Sequence, residues 1–191
     1  MSYLIPTWEI SIDNKEKFRR DLVEVAISKA EAQRIGKSRY ELFVKELTPS
    51  HLGLESWVTP KQLPHTTLTW INYQSDCDKI LSFYKVVQLN EDPGIISITI
   101  QTGKGLISHH NIGQLYGLVP TLKKIKETNN WDLLQVQYGL ENLRMEGWFS
   151  EPYVIENSET IKIDVTTGAK GTDGDTLLLI GFVVEPLKMT I

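Results

Sequence analysis

Residues 175–184, DTLLLIGFVV, place the strongest constraint on how this chain folds. As an extended segment the run does not alternate. Leu178, Ile180 and Phe182 fall on one side and Leu177, Leu179 and Val183 on the other, so both sides need cover. It falls well short of the roughly 20 apolar residues that cross a bilayer as a helix, so protein has to bury it. The preceding TIKIDVT (160–166) alternates cleanly, with Ile161, Ile163 and Val165 inward and Lys162 and Asp164 outward, the pattern of a strand with one wet face. Two kinds of cover suit the final run: a helix or loop of the same chain, or a neighbouring subunit, because an uncovered apolar strand is an aggregation site.

The chain has 191 residues, one domain by length: an N-terminal arm, strand and helix over 1–36, then a β-sandwich body over 37–191. Hydrophobic residues make up 41% and charged residues 23%, which is globular rather than disordered usage. A net charge of -4 gives no reason to expect a nucleic-acid partner. The lone Cys77 excludes an intrachain disulfide and a cysteine-cluster zinc site, and its flanking Asp76 and Asp78 oppose a reactive thiolate. The opening residues lack the charged and apolar regions of a signal peptide, so export by that route is not expected, and with no apolar run long enough to span a bilayer no membrane partner is expected either.

Along the chain, TWEISI (7–12) alternates like a first strand. Asp13 as N-cap, with Glu16 three residues on, predicts a helix over 14–35 whose Phe18, Leu22, Val25 and Ala26 recur at helical spacing. Its Ala-rich second half either packs closely or lies thinly covered. Strands follow at RYELFVKEL, TTLTWINY and ILSFYKVVQL, separated by a proline-rich loop over 48–64. NEDPG (90–94) then carries turn chemistry, which predicts a β-hairpin joining ILSFYKVVQL to IISITIQTG, with Ile96, Ile98 and Ile100 on one face. PTLKKIKE (120–127) reads as a short helix begun by proline, with a strand as the alternative. LLQVQYGL, LRMEGWF, ETIKIDVTT and the final run read as four more strands. The fold class is therefore mainly β: a jelly-roll-like sandwich with one N-terminal helix and a short additional one.

No catalytic pattern stands out. His51, His65, His109 and His110 form no metal-binding spacing, and His109 and His110, being adjacent, point to opposite faces of a strand. QTGKG lacks the remainder of a phosphate loop and reads as a hairpin turn or bulge. GAKGTDGD, with Asp173 and Asp175, lacks the calcium-loop pattern and reads as a turn. No catalytic residue, metal ligand or cofactor is assigned. Two further function classes stay open. Tryptophans coplanar on an exposed face would make the chain a carbohydrate or host-surface binding module. At least two histidines converging with a carboxylate inside a barrel would make it a cupin-like metal enzyme.

The C-terminal stretch GWFSEPYVIENSETIKIDVTTGAKGTDGDTLLLIGFVV resembles the closing hairpin of jelly-roll virion proteins from tailed phages and related viruses. The likeness covers about the last fifth of the chain and is a pattern of strands, so it carries over no reactive group. It implies a non-enzymatic decoration, cement or minor capsid subunit, located in the virion after assembly in the host cytoplasm. The implied partners are copies of itself, a trimer above all, and a major capsid or other virion protein. The short arm MSYLIP and the two-faced final strand suit such a role. Leu4, Ile5, Trp8, Leu177, Leu179 and Val183 are the candidate interface residues.

Overall fold

The computed structural model describes residues 3–6, 10–35, 41–76, 78–90, 93–112 and 145–186. Among them are nine strands and one long helix: β1 (Leu4–Pro6), α1 (Ile12–Ala32), β2 (Leu42–Glu46), β3 (Thr67–Gln74), β4 (Ile80–Gln88), β5 (Ile95–Thr102), β6 (Ile107–Asn111), β7 (Met145–Ile155), β8 (Thr160–Thr167) and β9 (Leu177–Pro186). A short 3-10 turn, Pro49–Leu52, lies between β2 and β3. The strands form two antiparallel sheets, ordered β1-β7-β4-β9-β2 and β3-β8-β5-β6. The pairings β2·β9, β3·β8, β4·β7 and β5·β6 nest inside one another, as though one long hairpin had been wound over itself. That is the strand order of a jelly roll, to which β1 adds a short edge strand beside β7.

The expected sandwich is present, and its core explains the sequence patterns. Ile161, Ile163 and Val165 of β8 point inward with Ile98 and Ile100 of β5, meeting Leu81, Phe83, Phe149, Tyr153, Leu177, Leu179 and Val183 from the other sheet. Each fully buried aliphatic or aromatic side chain here contributes about 1.5–3 kcal/mol by removal from water. The outer face of the β3-β8-β5-β6 sheet is wet. Thr69 there donates to Asp164 (2.7 Å) and Thr67 bonds Thr166 (2.9 Å).

Helix α1 supplies the cover that the final run demands. Phe18 and Leu22 pack with Tyr84, Trp148, Ile180 and Phe182, while Ala26 and Ala30 pack on Ile80 and Val184. The small alanines let the helix approach the sheet closely, the first of the two arrangements expected for that segment. β9 is thus apolar on both faces because one faces the opposite sheet and the other faces a helix of its own chain. Gly181 lies opposite Phe83, where β4 has a register irregularity. A Cβ on it would fall 1.8 Å from the Ser82 carbonyl oxygen, so only glycine lets the two strands meet there.

Several local expectations are corrected. The helix starts at Ile12 rather than 14, because Ser11 is the N-cap: its backbone is extended and its hydroxyl accepts from Asn14 N–H. Asp13 sits in the first turn instead, where its charge complements the helix dipole. The helix ends at Ala32, and Arg34 takes a left-handed conformation. The first strand is Leu4–Pro6, and Ile12 of the expected strand belongs to the helix. NEDPG does not close a hairpin, since β4 and β5 lie in different sheets. Nor do β8 and β9 form a closing hairpin, because residues 168–176 carry the chain from one sheet to the other. The hairpin that does form is β5–β6, turned by the GKG stretch, with Gly105 at φ 75°. Ile96 is exposed, because a register shift between Ile95 and Ser97 gives Ile95 the inward place beside Ile98 and Ile100. The segments PTLKKIKE and LLQVQYGL, and Trp8, Cys77 and Trp131, lie outside the described residues.

Candidate interaction surface

The six candidate interface residues separate on inspection. Leu177, Leu179 and Val183 are sealed in the core between the sheets and have no surface to offer another chain. This corrects the expectation: the sandwich itself consumes that face of β9. Leu4 is also buried, and Ile5 packs beside Trp148 and Leu22. The arm is therefore stitched into the molecule as β1, with Leu4 opposite Phe149 and Ile5 opposite Trp148. Trp8 lies outside the described residues.

The four histidines do not converge. His51 Nδ1 accepts from Thr48 N–H (3.0 Å) at the 3-10 turn, and His65 sits exposed at a left-handed turn position. His109 faces outward on β6 beside Thr99 (2.9 Å). His110 faces inward, 1% exposed, with Nε2 2.6 Å from the Tyr153 hydroxyl and its ring edge-on to Phe149. Burial, reinforced by the neighbouring His109, pushes its pKa down to about 4, so the ring is neutral at physiological pH. Its Nδ1 has no hydrogen-bond partner among the described residues. No group of three or more His, Cys, Asp or Glu is gathered for a metal among the described residues. Trp70 and Trp148 are buried and Trp57 leans on Trp70, so these three tryptophans build core, not a flat outer platform.

Two carboxylates organise the loops. Asp175, 4% exposed, accepts from the N–H groups of Gly94 and Ile95 (2.8 Å each), from Gln88 Nε2 (3.2 Å) and from the Thr172 hydroxyl (2.6 Å). Its own backbone exchanges hydrogen bonds with Thr59. This one side chain binds the β4–β5 corner to the β8–β9 loop, while Asp173 points away to Lys61 (2.6 Å). The two acids diverge, so the loop offers structure and no cation cradle. Glu156, between β7 and β8, takes Lys104 (2.5 Å), Lys29 (2.6 Å) and Gln33 (2.5 Å), joining the hairpin tip to the helix. Hydrogen bonds from Lys104 and then Lys29 hold its carboxyl down to about 2. Neither was legible as a hub, since in the sequence each is an acid in a turn. The one available signal was an acid placed directly before an apolar strand, which describes Asp175.

One accessible region is the β2 side of the molecule. A groove of about 640 Å³ runs beside α1, lined by Glu16, Arg19, Arg20, Val23, Glu24 and Phe182, with the Arg19 guanidinium 5.7 Å from the Phe182 ring centre. Next to it β2 forms the edge of its sheet, with Phe43 42% and Val44 40% exposed. This constellation offers contacts: apolar side chains, charges of both signs and a strand edge that no strand among the described residues pairs with. No family model, curated protein or solved structure matches the chain.

Proposed function

We propose that the chain is a non-enzymatic structural subunit of a virion, a decoration, cement or minor capsid protein. It works through contacts with copies of itself and with other capsid proteins. The observation that carries this reading is the nested jelly-roll pairing around an interior filled by aliphatic and aromatic side chains. Jelly rolls also serve lectins and cupins, so the site has to decide between the classes. Here the dispersed histidines disfavour the cupin reading, and among the described residues the packing of Trp57, Trp70 and Trp148 into the core disfavours an aromatic sugar platform. The test is to purify particles on a density gradient from cells that encode the chain and to probe them with an antibody raised against it. The expected result is co-sedimentation of the chain with intact particles; a chain confined to the soluble lysate, with blank particles, contradicts the proposal.

A second reading, a host-surface or carbohydrate binding module, draws on the wet outer face of the β3-β8-β5-β6 sheet. Thr67, Thr69, Lys162, Asp164 and Thr99 stand there in polar rows. Binding on a glycan array supports it, and a blank array removes it.

A further inference from the structure

We infer that β2 is a self-pairing edge: two copies of this chain join antiparallel through β2, centred on Phe43, with a two-fold axis normal to the sheet. The contact deepens the assembly reading and rests on it for its biological role, not for its geometry. It starts from the hydrogen bonds. Leu47 donates its N–H to Gly181 O, and β2 and β9 pair without irregularity, so Phe43 and Lys45 exchange their backbone bonds with β9. Leu42 and Val44 therefore turn their N–H and C=O groups away from β9, toward the open edge. Among the described residues no strand pairs with that side.

The register follows from side-chain chemistry. Read antiparallel against itself about Phe43, the stretch E-L-F-V-K (41–45) is self-complementary. Glu41 falls opposite the second copy's Lys45, Leu42 opposite Val44, and Phe43 opposite Phe43. Opposite charges and aromatic pairs are the cross-strand combinations that stabilise antiparallel sheets. Shifting the centre to Val44 sets Lys45 against Phe43 and Glu46 against Leu42; centring on Lys45 opposes two like charges. The chosen register also satisfies the backbone, because Leu42 and Val44 become mutual hydrogen-bonded pairs. Phe43 then occupies a non-hydrogen-bonded site, where side chains come closest.

The faces agree as well. Leu42 and Val44 lie on the α1 side of the sheet, opposite Pro186 and Val184 of β9. Under the two-fold, Leu42 and Val44 of one copy meet Val44 and Leu42 of the other on that same face. Lys45 is ion-paired with Glu185 yet keeps 56% of its side chain exposed, which leaves room for a second carboxylate. A lysine on an edge strand more often guards against pairing. In this register its partner is an acid, and the guard becomes a selector for one alignment. A closed two-fold contact of this kind is isologous and does not propagate into fibres by itself.

The experiment is site-specific cross-linking in the full chain carrying Cys77→Ser. With Phe43→Cys the two thiols face each other across the axis at a spacing suited to a disulfide, whereas with Val44→Cys they do not. Under mild oxidation the Phe43→Cys chain is expected to give at least about tenfold more covalent dimer than the Val44→Cys chain. As a second measurement, Val44→Pro removes only an outward N–H and leaves the β9 ladder whole, so the fold is retained and self-association by light scattering is lost. Equal cross-linking at both positions, or unchanged self-association of the Val44→Pro chain, overturns the contact. If the unmodified chain forms oligomers while both β2 tests fail, the assembly reading stands and this contact falls. If the unmodified chain never self-associates, both fall.

Discussion

At the scale of single residues, two buried polar groups set how the molecule responds to mutation and to acid. Asp175→Ala strips the carboxylate acceptor from the buried Gly94 and Ile95 N–H groups, at a cost of about 3 kcal/mol. Asp175→Asn retains one carbonyl acceptor and is expected to lose less; urea midpoints of the two variants check the order. His110 governs the mild acid range. Its folded pKa of about 4 lies below the ordinary value near 6.5, so the unfolded chain takes the proton first as pH falls. Its contribution is complete above pH 6.5, declines by up to about 1.4 kcal/mol per pH unit between 6.5 and 4, and is gone below that. Summed over the window the loss is about 3 kcal/mol, and His110→Gln, which keeps a polar partner for Tyr153, is expected to flatten it. Glu156 acts in a lower window. Its carboxyl, held down by Lys104 and Lys29, stabilises the fold above the usual carboxylate range, and that support disappears as pH falls toward 2. Urea titrations at stepped pH separate the two.

At the scale of elements, α1 is the decisive piece, because it converts an apolar sheet face into core. Leu22→Ala hollows the contact with Tyr84 and Trp148 and is expected to cost about 2–4 kcal/mol and to raise binding of a hydrophobic dye. No loss in dilute solution would mean that something other than α1 covers Ile180 and Phe182. Much of this level was legible in the sequence. The alternation of TIKIDVT and the unbroken apolar run after it describe what the fold does with β8 and β9, since period-2 burial follows directly from strand geometry. The helix was legible too, though Ser11 competes with Asp13 for the cap, and the winner depends on where the chain leaves β1. What stayed hidden is where each turn leads. NEDPG has hairpin chemistry, yet its corner is recruited by Asp175 from 80 residues away and turns the chain into the other sheet. β1 was hidden because three residues ending in proline carry no periodicity, and its ladder to β7 is wholly non-local.

At the scale of the whole molecule, the inner face of the final apolar strand is satisfied inside one chain, and the β2 edge with its adjoining groove is one place where apolar and charged groups remain accessible. The candidate site was accordingly the least legible part of the sequence. Leu177, Leu179 and Val183 attract attention by hydrophobicity alone, but burial spends them on the core. Phe43 and Val44 look like ordinary strand residues until the sheet order puts them on an edge. In the proposed function this chain works by being packed against copies of itself. Size-exclusion chromatography with light scattering over a micromolar dilution series tests that most directly. A molar mass that climbs above the 21.8 kDa of one chain as concentration rises is the predicted result. A mass fixed at one chain throughout contradicts it.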